Sequence, residues 1–208
     1  IRPILRGRDV CRYGYEWANL WIINTHNGIK GDLERIHIED YPAIKQHLDK
    51  YWDKIEPRAD QGDTAYNLRN CAYLDEFSKP KIIYPNMTKF LPFVYDRSGV
   101  MTNQKCFIIT GTHLEYLTAF FNSSLFKFCF ADRFPELQGK TRELSKIFMD
   151  EISILKINDT DECMINKLVQ DIQMEYSVNK AKRIDKFIFD LYHLSIEEQM
   201  YIGFIDYG

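Results

Sequence analysis

Lys81-Ile82-Ile83-Tyr84, closed by Pro85-Asn86, is the stretch on which the fold reading turns. β-Branched and aromatic residues bounded by turn chemistry predict a strand. Phe93-Val94-Tyr95 and Cys106-Phe107-Ile108-Ile109 predict two more. The polar stretch between those two, Asp96-Arg97-Ser98-Gly99 to Asn103-Gln104-Lys105, predicts a hairpin or β-loop. Thr112-His113-Leu114-Glu115 has the form of a capping box and opens an apolar helix through Leu117, Phe120 and Phe121. Asn122-Ser123-Ser124 interrupts that helix, and Leu125 to Phe130 continues it.

Upstream, Leu20-Trp21-Ile22-Ile23 predicts a strand. Ile44, Leu48, Tyr51, Trp52 and Ile55 recur at helical spacing, predicting one amphipathic helix from Tyr41 to Glu56 with Asp40 as N-cap and Pro42 in its first turn. Residues 58–79 are polar and irregular and predict a long loop. Downstream, Ile152 to Ile157 alternates and predicts a strand. Helices follow over about 161–176, 180–193 and 195–202, the last opened by the box Ser195-x-x-Glu198. The fold class expected is α+β: a mixed sheet with flanking helices, followed by a helical C-terminal element. The expected division is an α/β domain over residues 1–156 and a helical tail over 157–208.

An apolar share of 45% and a charged share of 27% exclude a disordered or collagenous chain. Five cysteines in odd number at long gaps predict buried, reduced thiols and a cytoplasmic setting. No apolar run approaches the ~20 residues of a membrane span. The chain opens on Ile1-Arg2-Pro3 and is read as a piece of a larger polypeptide. Residues 1–156 carry 22 Lys and Arg against 20 Asp and Glu, whereas residues 157–208 carry 5 against 10. Any polyanion would therefore meet the first segment.

Motifs of catalysis are missing. There is no G-x-G, no Walker loop, no G-x-S-x-G, no N-P-P-[YF] and no carboxylate followed at two residues by Lys. No histidine has metal-ligand spacing, so no metal is expected. Two polar sets remain. Asn86, Lys89, Arg97, Asn103, Gln104 and Lys105 lie on predicted loops; Arg and Lys suit guanine acceptors, and Asn and Gln pair bidentately with adenine. Arg133, Lys140 and Arg142 sit in a basic segment suited to phosphate contact. The plain alternative for both sets is a solvated surface.

Five motifs in order carry a family resemblance. Ile1-Arg2-Pro3-Ile4-Leu5-Arg6-Gly7-Arg8-Asp9-Val10 with Arg12-Tyr13 resembles the entry to the TaqI-like C-terminal specificity domain of adenine-specific type IIG restriction–modification enzymes. Tyr41-Pro42-Ala43-Ile44 with His47-Leu48, Lys79 to Pro85, Leu117 to Leu125 with Asn122-Ser123, and Ile184-Asp185 to Leu194 with Glu197-Glu198 resemble its later motifs. His193 departs from the usual glycine. The resemblance, reaching to about residue 202, implies a bacterial target-recognition domain that binds double-stranded DNA and carries no catalysis or cofactor of its own. It also implies an N-terminal adenine methyltransferase domain on the same polypeptide, using S-adenosylmethionine, and leaves open whether that parent enzyme cleaves as well as methylates. The alternative kept beside it is a protein–protein docking domain within the same enzyme, with the 161–202 helices as partner surface.

Overall fold

The computed structural model describes residues 1–89, 92–130 and 133–204. Its strands are β1 (Arg2–Leu5), β2 (Val10–Cys11), β3 (Gly14–Tyr15), β4 (Trp21–Ile22), β5 (Lys81–Pro85), β6 (Met87–Thr88), β7 (Val94–Asp96), β8 (Met101–Thr102), β9 (Cys106–Thr110), β10 (Glu136–Leu137) and β11 (Thr141–Glu143). Its helices are α1 (Pro42–Asp49), α2 (Trp52–Ile55), α3 (Leu114–Phe121), α4 (Ser124–Phe130), α5 (Lys146–Met149), α6 (Asp159–Met174), α7 (Val178–Leu191) and α8 (Ile196–Ile202). The class is α+β, with the strands divided among several small sheets.

β5 is the centre. Every one of its residues is buried, and it pairs antiparallel with β7 on one side and β9 on the other. Alternation sends successive side chains to opposite faces. Ile82 and Tyr84 join the larger core with Phe93, Phe120, Phe121 and Phe126, and the same core takes Ile165, Val169 and Ile172 of α6 and Ile184, Ile188 and Phe189 of α7. Ile83 joins a smaller core with Leu5, Val10, Val94, Val100 and Cys106.

The linker between β7 and β9 departs from the expected hairpin. β5 lies between those two strands, and within the linker β8 pairs in parallel with β1, Ile4 opposite Met101. A strand buried on both faces competes better for the central place than two strands joined by a polar loop, because it removes more apolar surface from water.

Four other expectations are corrected. The helix over 41–56 breaks into α1 and α2 at Lys50-Tyr51; neither half has a buried residue, so no packed face holds one continuous helix together. Tyr41, not Asp40, precedes α1. Thr112 does not cap α3; His113 takes that place with a left-handed φ of 58° and makes no side-chain cap bond, and Glu115 is drawn to Arg97. Residues 152–157 form no strand. The Leu155 N–H donates to the Tyr192 hydroxyl at 3.0 Å and its carbonyl accepts from the Tyr116 hydroxyl at 2.9 Å, so tyrosines satisfy a backbone that no neighbouring strand pairs.

Of the C-terminal helices, the first two start two residues ahead of expectation, at Asp159 and Val178, and the third follows the expected Ser195 box. Asn158, Ser177 and Ser195 each accept a backbone N–H at the N-cap, and Ser195 with Glu198 completes a capping box. All five thiols are free, but only Cys106 is buried; Cys11, Cys129 and Cys163 are exposed, on a strand end and on outer helix faces. Among the described residues no helix is long and apolar enough to cross a membrane.

Candidate functional site

The turn from β8 into β9 is built by Asn103. Its side-chain oxygen accepts the Lys105 N–H at 3.0 Å, its carbonyl accepts the Cys106 N–H at 3.0 Å, and its own N–H donates to the Leu5 carbonyl at 3.0 Å. The backbone and side-chain oxygen of Asn103 are thereby engaged in the turn. Gln104 and Lys105 at the tip are exposed. Lys105 is fixed from below: its carbonyl accepts the Asn86 N–H at 2.9 Å, and a Cβ added to Gly7 would lie 2.8 Å from that carbonyl. The tip thus stands on a rigid base made of β5, β9 and the segment after β1.

Two clefts flank it. One, of about 850 Å³, lies between the β2–β3 hairpin and β6, and Arg8, Tyr15, Asn86, Met87, Lys105 and Tyr176 line it. The other, of about 740 Å³, has Asn24, His26, Arg69, Asn103 and Gln104 on its wall. The loop residues singled out from sequence therefore divide. Asn86 and Lys105 meet in the first cleft, and Asn103 and Gln104 in the second. Lys89 is exposed just beyond β6.

Arg97 lines neither cleft. It donates to the Tyr95 hydroxyl at 3.0 Å, lies 4.9 Å from that ring's centroid and pairs with Glu115. Arg142 lies opposite Thr88 of β6, donates to the Phe134 carbonyl at 2.9 Å and sits 3.4 Å from Glu136. Arg133 is exposed ahead of that hairpin. The Lys140 side chain falls outside the described residues.

Arg8, Arg12, Tyr15 and Tyr176 reach the first cleft without having been singled out as site residues. No local spacing marks them, because they come from opposite ends of the chain. Arg12 is held from behind: its guanidinium donates to the Asn122 carbonyl at 2.6 Å and sits 3.8 Å from Asp185. Asp185 in turn accepts the Ser124 N–H at 2.8 Å and the Ser124 hydroxyl at 2.6 Å. Burial pushes the Asp185 carboxyl above its ordinary value, against the opposing pull of Ser124 and Arg12. The folded state therefore holds this proton more tightly than the unfolded state. Between the ordinary value of 3.8 and the raised folded one, stability from this group rises as pH falls. Asp185→Asn should remove that slope. Urea midpoints for both proteins, followed downward in pH towards 4, are expected to move apart in favour of wild type; parallel lines would refute the assignment.

A family model for the TaqI-like C-terminal specificity domain matches residues 2–154, about three quarters of the chain. The chain belongs to that family. Membership places this TaqI-like specificity domain among those that supply target recognition in restriction–modification enzymes. A search of curated proteins returns no match. The matched range ends ahead of α6, yet Ile172, Gln173 and Tyr176, at and just after the end of α6, help close the larger cleft. In this specificity domain the helical element is part of the cleft's wall.

Proposed function

We propose that the chain is the sequence-reading module of a restriction–modification enzyme, binding double-stranded DNA and positioning an adenine methyltransferase on the same polypeptide that uses S-adenosylmethionine. The observation that carries the reading is the 103–105 turn. Two long polar side chains, Gln104 and Lys105, project from a tip whose every backbone anchor is internal. Folding alone asks nothing of them. A protrusion borne on strands fits a major groove about 12 Å wide, and Asn86 and Lys89 extend the same surface. The chain itself is expected to transfer no methyl group and cut no DNA.

A binding selection over randomised duplexes tests this. Gln104→Ala is expected to relax preference at one base pair, a loss of about 1–3 kcal/mol in discrimination, while thermal stability stays nearly unchanged, as for most surface substitutions. Lys105→Ala should weaken all sequences alike and flatten the salt dependence by about one phosphate contact. Superimposable preferences for wild type and Gln104→Ala would refute the role of the turn.

The exposed face of α8 favours a second surface. Ile196, Met200 and Tyr201 are each about three-quarters exposed or more, on a segment whose acidic balance repels DNA. This is the face we assign to docking on the methyltransferase domain.

A further inference from the structure

We propose that the 850 Å³ cleft between the β2–β3 hairpin and β6 receives one unstacked nucleotide of a DNA strand, with its phosphates at Arg8 and Lys105 and its base against Tyr15, Met87 and Tyr176. The proposal rests on the reading of the chain as a DNA-binding module and adds a site to it. The volume suits a small ligand held on several sides, whereas a stacked duplex presents a broad convex surface that cannot enter.

The charges at the mouth are the first argument. Neighbouring basic residues are engaged: Arg6 with Asp9 at 2.7 Å, Arg12 with Asp185 and the Asn122 carbonyl, Arg142 with the Phe134 carbonyl. Arg8 and Lys105 are both exposed, and both line the cleft. Two exposed cations on the wall of one cleft suit a phosphate, which accepts charge-assisted hydrogen bonds from both side-chain types. Glu16 is the one carboxylate among the described lining residues.

The lining is the second argument. Met87 and Tyr176 are each about half exposed, an apolar surface that faces the cleft without being covered. Aromatic rings and a thioether accept the face of any base. Asn86 has both backbone groups occupied, its N–H by the Lys105 carbonyl and its carbonyl by the Leu144 N–H. Its amide side chain is left to offer a donor and an acceptor to a base edge. An apolar peptide would use the tyrosines but not the cations that line the same cleft, which is why a nucleotide is the better fit.

The test uses the 208-residue chain and two duplexes that differ only in one mismatched position, where a base leaves the stack at least cost. Binding is read by fluorescence anisotropy, and Cys11, exposed on the cleft wall, is alkylated and mapped by mass spectrometry, with Cys163 on α6 as internal reference. The mismatched duplex is expected to bind about tenfold more tightly and to protect Cys11 but not Cys163. Met87→Ser with Tyr176→Ser, both at exposed positions, should bring the two affinities within about twofold while leaving that of the paired duplex in place. Equal affinities in wild type, or an unprotected Cys11, overturn the cleft assignment while paired-duplex binding sustains the DNA reading. Absence of binding to either duplex at low salt overturns both. Protection of Cys11 by an apolar peptide, with none by either duplex, overturns the proposal in favour of a protein ligand.

Discussion

Asp96→Ala is expected to cost about 3–5 kcal/mol of stability, the range for removing one partner of a buried ion pair. Lys81 and Asp96 face each other at the edge of the central sheet, in register across β5 and β7. Their side chains are 0% and 2% exposed and 2.6 Å apart, and the Lys81 ammonium also donates to the Phe77 carbonyl at 2.9 Å. Removing the carboxylate leaves an ammonium without its counter-charge where water cannot reach it. It also frees Ser98, whose N–H and hydroxyl both donate to Asp96, at 3.1 and 2.6 Å. Ser98 opens the segment that leads to the 103–105 tip, so target preference should weaken along with stability. The double change Lys81→Met with Asp96→Leu should recover most of the loss, because two packed apolar side chains replace two desolvated charges. Urea denaturation of the three proteins checks this. A single variant within about 1 kcal/mol of wild type would mean that water reaches the pair.

The parts of the fold legible in sequence are those decided locally. β5 and β9 are runs of β-branched residues ended by Pro85 and by Gly111. α8 begins after Ser195, whose box with Glu198 closes within three residues. What could not be read depends on partners distant in sequence. Nothing near Asp96 shows that β7 pairs with β5 and not with the strand that follows it. Nothing near Glu115 shows that Arg97 will take its carboxylate from the cap. The 152–157 segment alternates as a strand does, and alternation reports only that one side is buried; whether a neighbouring strand or two tyrosine hydroxyls meet its backbone is a tertiary matter. The candidate site follows the same division. Gln104 and Lys105 are visible as polar residues on a strand-borne loop. The cleft beside them gathers Gly7, Arg8 and residues 10–16 with residues 85–88, Lys105, Ile172, Gln173 and Tyr176, and no spacing along the chain carries that assembly.

Asn122→Ala is the second large effect, expected at about 2–5 kcal/mol from one orphaned, buried N–H, that of Phe93, and two further lost hydrogen bonds. The Asn122 amide donates to the Phe93 carbonyl at 2.7 Å, and its oxygen accepts the Phe93 N–H at 3.1 Å. One side chain thereby stands in for a neighbouring strand at the entry to β7. The same amide donates to the Thr118 carbonyl at 2.9 Å, closing the last turn of α3 where the backbone leaves the helix. Alanine removes all three bonds and supplies none, and the dense aromatic packing around Phe93 excludes replacement water. The Asn122 carbonyl is also what holds the Arg12 guanidinium on the cleft wall. A shift of the α3–α4 junction would move Arg12 with it. Two readouts separate the consequences. Thermal unfolding should shift down by about 5–15 °C for a chain of this size. At a temperature where the variant is still folded, Cys11 should alkylate faster than in wild type, because the hairpin that carries it is tied to Phe93 through the Tyr13 N–H at 3.1 Å. A variant that unfolds at the wild-type temperature would show that water or a shifted backbone replaces the amide. One that unfolds early but keeps the wild-type Cys11 rate would confine the role of Asn122 to the helix junction.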